Sequence, residues 1–347
     1  MSELTIRIQG RAGRITLTRP SALNALTHDM ALQIETALND WAGDPAVALV
    51  LIDAQGDRAF CAGGDIQRLY ETGRAGDLSY GREFWRDEYR LNALIAGYGK
   101  PVASFLNGFV MGGGVGIGCH ASHRVVEDST RIAMPEVGIG LVPDVGGSLL
   151  LARAPGRLGE YLGLTAGRMG PGDAIHAGFA DFYVPQDKWN DIKNLVCEAG
   201  AMDELVAAAK PPPDAALAAR GPEIDRLFAA ADLPGIVTAL QAEGTEFADK
   251  ALTLLSRNCP LSMACTLAML PRLRGAEVTI SDALALEYRF TSRAMADGDF
   301  IEGIRAAIID RDRAPRWSHG LHDVSDTKVA AMLAPLDPDL TFEEDTR

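Results

Sequence analysis

Residues 47–53 read V-A-L-V-L-I-D, apolar at every position until the closing aspartate. A strand with one wet face alternates polar and apolar side chains; this run does not, so both of its faces must be covered. Helices packed on both sides of a largely parallel sheet are the arrangement that does so. The neighbouring pattern supplies them. Thr27 stands where an N-cap belongs, ahead of Met30, Ile34, Leu38 and Trp41 at helical spacing. A helix is expected from about Phe84 to Ala96, a strand over Pro101–Leu106, and short strands at Arg124–Val126 and Arg131–Ala133. Near the start, Ile6–Ile8 and Arg14–Thr18 flank Gly10 and Gly13 and read as a hairpin. The core is therefore an α/β layer fold, whose ligand site belongs at the carboxyl edge of the sheet, in the turns after its strands.

The alternation stops near residue 205. Residues 207–222, A-A-A-K-P-P-P-D-A-A-L-A-A-R-G-P, read as a linker. Helical segments follow around Ile224–Ala230, Leu233–Ala242, Phe247–Ser256, Ser262–Leu270 and Ser281–Ala296, and no strand pattern returns. Two regions are expected: a catalytic core over 1–205 and an all-helical C-terminal cap over 206–347. The cap ends in an acidic tail, with Asp337, Asp339, Glu343, Glu344 and Asp345 solvated and loosely ordered.

The chain of 347 residues has ample length for a sizeable core. Its net charge of −14, with no opposing cluster of Lys or Arg, argues against a nucleic-acid partner. Its longest apolar runs are too short to span a bilayer, and M-S-E-L-T-I-R-I lacks the basic and apolar regions of a signal peptide. A cytosolic protein with no membrane partner is expected. Cys61, Cys119, Cys197, Cys259 and Cys265 are odd in number and without C-x-x-C spacing, which reads as reduced, buried thiols. His28, His120, His123 and His176 show no spacing that demands a metal.

Chemistry concentrates in two glycine-rich segments and the acids behind them. A-F-C-A-G-G-D (59–65) is expected directly after the 47–53 strand and its Gln55–Gly56 turn, and M-G-G-G-V-G (111–116) directly after the Pro101–Leu106 strand. Unshielded amides at Gly64 and Gly113 suit an oxyanion hole, where each donor is worth about 3–4 kcal/mol to the transition state. Glu136, in A-M-P-E, and Asp144, in P-D-V-G-G, follow closely and suit general acid–base work on an acyl group. If those two approach, repulsion raises one pKa and favours proton transfer. Residues 116–121 formally match G-x-G-x-x-A, but no acid closes a following strand at the distance a dinucleotide needs. Neither a G-x-S-x-G elbow nor a G-x-x-x-x-G-K-[ST] loop occurs.

Taken together, A-F-C-A-G-G-D-I, M-G-G-G-V-G, A-M-P-E and P-D-V-G-G resemble the crotonase (enoyl-CoA hydratase/isomerase) superfamily, and within it the 3-hydroxyisobutyryl-CoA hydrolase branch. The likeness continues through W-R-D-E-Y (85–89), L-T-A-G-R (164–168) and D-F-I-E-G-I-R-A (299–306), covering essentially the whole chain. The resemblance implies a crotonase-like layered core of ββα repeats with a helical C-terminal subdomain, and hydrolysis of an acyl-CoA thioester. It places Gly64 and Gly113 at the two oxyanion-hole amides and Glu136 at the principal catalytic carboxylate. It makes Asp144 the second acid of the hydrolase branch and Glu88 an acid lining the acyl pocket. Hydratases of the superfamily carry a second catalytic glutamate two residues after the glycine run. Here that position is Gly116, which disfavours water addition to a double bond, while isomerisation needs only the Glu136-type base. For hydrolysis, Glu136 is either the general base or the residue that forms a transient anhydride. Arg305 reads equally as a contact to CoA phosphates or as the partner of a neighbouring acid. The CoA thioester is the substrate, so no separate cofactor is expected, and the protein is a monomer or a homo-oligomer.

Overall fold

Gly10 makes the first turn, because its φ of +58° suits glycine and an added Cβ would fall on the Cys197 carbonyl oxygen. It joins β1 (Leu4–Gln9) to β2 (Ala12–Leu17), an antiparallel pair whose register closes at Gln9–Ala12. These strands come from a computed structural model of the chain that describes residues 3–342. From β2 the sheet grows by parallel pairing to β3 (Leu49–Ala54), β5 (Val102–Leu106), β7 (His123–Val126) and β9 (Phe182–Tyr183). The all-apolar run is β3, and residues Leu49 to Asp53 in it are buried. One face packs Leu49, Leu51, Phe105 and Val125 against Trp189 and Ile192 of the Trp189–Ala199 helix. Each side chain so buried contributes about 1.5–3 kcal/mol.

A second sheet, of three parallel strands in the order β4–β6–β8, did not stand out from periodicity. Its strands are Ala59–Cys61, Phe109–Met111 and Arg131–Ala133, three residues each, and only the last was expected as a strand. Each follows a strand of the large sheet after a short turn: β3 leads to β4, β5 to β6, and β7 to β8. This is the layered ββα repeat that the family resemblance implied. Gly108 makes one of the turns, since an added Cβ there would fall on the Arg58 backbone. The expected helix caps are in place: Thr27 Oγ1 accepts from the Met30 amide at the head of the His28–Ala42 helix.

Contacts divide the chain into two units that interleave along the sequence. The first, residues 1–64, 90–133 and 168–218, holds every strand of both sheets. The second, residues 65–89, 134–167 and 219–347, holds helices and no strand among its described residues. This differs from a single cut near 205, because two internal segments, 65–89 and 134–167, belong with the C-terminal helices. Residues 207–218 of the stretch expected as a linker belong to the first unit. Leu217 donates its amide to Asp173 at 2.8 Å, and Gly172 leaves room for the Pro213 carbonyl. The acidic end is also tied down: Asp339 pairs with Arg289 at 2.9 Å, and Arg293 donates to the carbonyls of Ala334 and Pro335. Asp337 is exposed, as expected of it, while Glu343, Glu344 and Asp345 lie outside the described residues.

Candidate active site

In the sheet-bearing unit, the two glycine segments open from neighbouring strands of the small sheet rather than from the long strands β3 and β5. β4 and β6 run parallel with Cys61 opposite Val110, so Gly64 and Gly113 each emerge three residues beyond that pair. Gly63 has a φ of +120° and Gly112 of +47°, both in the region that favours glycine. Gly114 lets the turns abut, since a Cβ on it would fall on the Cys61 carbonyl oxygen. Gly113 starts the short Gly113–Gly118 helix, where first-turn amides lack intrahelical acceptors. Among the described residues, neither the Gly64 nor the Gly113 amide donates a hydrogen bond within the protein. Gly116 sits inside that helix, buried and without a side chain.

In the helical unit the sequence-predicted acids come together. Glu136 opens the 3-10 turn Glu136–Ile139, directly after Pro135. Asp144 lies in the turn before the Gly147–Arg153 helix, and Glu88 lies on the Ser79–Ala96 helix. All three are buried, Glu88 included, although it lies on a helix. Glu88 Oε1 and Glu136 Oε2 find no hydrogen-bond partner among the described residues. Asp144 accepts from the Tyr89 hydroxyl at 2.8 Å. Burial is the first cause that pushes Glu136 well above the usual carboxylate range, followed by the charge of Asp144 and then those of Glu287 and Glu88. Burial also raises Asp144, against the bond from Tyr89, and raises Glu88, where Asp144 adds to it. Crowded, desolvated acids of this kind hold their protons more tightly than exposed carboxylates do, which suits proton transfer.

Arg305 is engaged elsewhere. It pairs with Glu302 at 2.8 Å, Asp310 at 2.6 Å and Asp312 at 2.7 Å, which favours the acid-partner alternative over phosphate contact. Two residues of the acid pocket were not singled out from the sequence, Tyr89 and Glu287. Glu287 carried a usable signal. It falls in the buried stripe of Ala283, Leu284, Phe290 and Ala294, where a lone acid on an apolar helix face asks for an explanation.

The profile described as enoyl-CoA hydratase/isomerase matches residues 12–333. The chain belongs to that family. Curated relatives include the proteins named 3-hydroxyisobutyryl-CoA hydrolase, mitochondrial, of Gallus gallus and Danio rerio. They are 36% and 38% identical, over 96% and 97% of this chain and 89% and 90% of theirs. Among solved structures, one titled an enoyl-CoA hydratase from Rhodobacter sphaeroides 2.4.1 superposes with a TM-score of 0.95 at 55% identity, covering 98% of this chain and 100% of that one. Another, titled a carnitinyl-CoA dehydratase from Mycobacterium thermoresistibile, gives 0.94 at 40% identity, covering 99% and 100%. The α/β crotonase-type fold is thus shared along nearly the whole chain. No helix among the described residues is long and apolar enough to cross a membrane.

Proposed function

We propose that this enzyme hydrolyses acyl-CoA thioesters, with 3-hydroxyisobutyryl-CoA as the preferred substrate, which would place it in valine degradation. The observation that carries the reading is the buried Glu136–Asp144 pair, set against a glycine at position 116. Hydration in the superfamily takes a second glutamate at position 116 to share one water with Glu136, and that position is a glycine; a thioester needs only attack at its carbonyl and a proton for the leaving thiolate. The curated relatives named as hydrolases support the same choice.

In this reading the thioester oxygen is held by the amides of Gly64 and Gly113. Glu136, with a free carboxylate oxygen, takes the proton of the attacking water, and Asp144 orients that water or the substrate hydroxyl. The new C–O bond replaces the C–S bond. CoA leaves as thiolate and is protonated by the acid that Glu136 has become, which balances the reaction without a metal or separate cofactor. Glu88 lines the acyl pocket. The five cysteines are buried and form no disulfide among the described residues, which suits a reducing compartment such as the cytosol.

A second reading, enoyl-CoA hydratase or isomerase, draws on the likeness to the Rhodobacter sphaeroides enoyl-CoA hydratase. A third, acyl-CoA binding without turnover, keeps only the glycine amides. Thiol release from 3-hydroxyisobutyryl-CoA, followed beside the enoyl absorbance of crotonyl-CoA, separates the three. Thiol release with unchanged enoyl absorbance is expected; loss of enoyl absorbance without thiol release favours the second reading. Tight binding with neither signal leaves the third.

A further inference from the structure

The turn that carries Asp144 has an unusual backbone. Val145 takes a φ of +53°, a left-handed conformation that a β-branched residue rarely adopts, and Gly146 follows at +77°. Such a conformation persists only where its surroundings over-determine it. Here one side chain does much of that. Glu287, 0% exposed on the Ile280–Asp297 helix, accepts the Gly146 amide on Oε2 at 2.9 Å and the Ser148 amide on Oε1 at 3.2 Å. The Ser148 hydroxyl donates to the same Oε1. One helical turn further on, Thr291 Oγ1 lies 3.5 Å from the Tyr89 hydroxyl, which in turn donates to Asp144. The helix therefore reaches Asp144 along two routes: through the backbone that follows it, and through the hydroxyl bonded to its carboxylate.

We propose that Glu287 is a positioning residue for thioester hydrolysis, fixing the Asp144–Ser148 turn so that the Asp144 carboxyl keeps its place among the site acids. The proposal rests on the hydrolase reading above. Three donors converge on two oxygens, and both oxygens must accept; a glutamine offers only one acceptor. The groups whose charge Glu287 shares are Asp144, Glu136 and Tyr89. Burial and then the charge of Asp144, opposed by the bonds from Ser148 and Gly146, hold the Glu287 carboxyl up to about 8. Glu287 in turn raises the proton affinity of Glu136 whenever it is ionised.

The test uses the full chain with Glu287→Ala, Glu287→Gln and Ser148→Ala, measuring kcat and KM for thiol release from 3-hydroxyisobutyryl-CoA over a range of pH, with folding checked by circular dichroism. Displacing a catalytic group by about 1 Å is worth roughly 100-fold in rate, so Glu287→Ala is expected to lose about 100-fold in kcat with KM little changed. Glu287→Gln keeps the Ser148 contacts and loses the Gly146 acceptor; a smaller loss, about 10-fold, is expected. Its kcat profile should also rise at lower pH than the wild type's, because a neutral side chain now faces Glu136. Ser148→Ala should lose the least. A folded Glu287→Gln with wild-type kcat and an unmoved pH limb overturns the proposal, as does a loss confined to KM. If Glu287→Ala does not fold, the other two variants decide. If the wild type releases no thiol, the hydrolase reading fails, and the turn is then read from amide hydrogen exchange at Gly146. Protection in the wild type that vanishes in Glu287→Gln supports the positioning role, and unchanged protection contradicts it.

Discussion

Two buried carboxylates in this molecule receive opposite treatment. Asp53, on β3, is 3% exposed, and Glu136 is 4% exposed, so desolvation acts on both. Asp53 is surrounded by donors: Lys193 at 2.9 Å, Arg14 at 2.8 Å and Thr16 at 2.6 Å. Burial pushes its pKa up, but the charges of Lys193 and Arg14 and the hydrogen bonds outweigh it, and the group ends below the usual range. Burial moves Lys193 down instead, because it has one acid partner against the nearby charge of Arg14. Glu136 has an oxygen with no partner and three acids for electrostatic neighbours, and it ends far above the usual range. An acid that holds the fold together is satisfied within the protein. Glu136, to which the proposed reading gives the proton transfer, is left open, and such an acid comes at the expense of stability.

The largest test of that contrast is to open the closed site. Lys193→Met leaves Asp53 short of its buried cation and is expected to lose about 3–5 kcal/mol in urea unfolding, since breaking a buried pair strands a charge. A loss below about 1 kcal/mol would mean that Arg14 and Thr16 alone satisfy Asp53.

Next is the pH dependence, which the two sites drive in opposite directions. Asp53, lowered in the fold, contributes stability above its unfolded pKa near 4 that is lost as pH falls through the folded value. Glu136, Asp144, Glu88 and Glu287 are raised, so between the unfolded range of about 4 and the folded values the native state binds more protons than the unfolded chain. Stability should therefore fall as pH rises through neutrality toward about 8, the Glu287 value, by up to about 1.4 kcal/mol per pH unit for each group in transition. A chain equally stable at pH 5 and pH 8 by thermal melting would contradict this.

The smallest expected effect is at Glu88. Glu88→Gln removes an ionisable group from the open site and should raise stability at pH 8 by about 1 kcal/mol, measured by urea unfolding, while increasing KM more than it reduces kcat. Lower stability at pH 8 would show that the Glu88 carboxylate is satisfied after all.

Part of the fold and of the candidate site was legible in the sequence, while the pairing of Asp53 was not, and the unread parts have physical reasons. The unbroken apolar run of β3 implied a covered parallel sheet, and Thr27 marked a helix start to the residue. Ala59–Cys61 and Phe109–Met111 passed unread because three residues cannot establish a period of two. As a result, the glycine turns were attached to the long strands instead of the short ones beside them. The interleaving of 65–89 and 134–167 with the C-terminal helices was equally hidden, since those segments have the same local character as their neighbours. Glu136 and Asp144 were found beside the glycine motifs and Glu88 only through the family resemblance, and all three are buried. Tyr89 and Glu287 were not, because their importance lies in partners 55 and 139 or more positions away in the chain. The spacing of a motif carries no record of such contacts.

The central claim is that Glu136 is held unsatisfied for thioester hydrolysis. Measuring thiol release from 3-hydroxyisobutyryl-CoA and thermal stability at pH 8 on the same preparations of wild type and Glu136→Gln tests it most directly. Glu136→Gln is expected to lose about 1,000-fold in kcat while keeping a stability equal to or above that of the wild type. Turnover near the wild-type rate, or an inactive variant that has also lost stability, would contradict it.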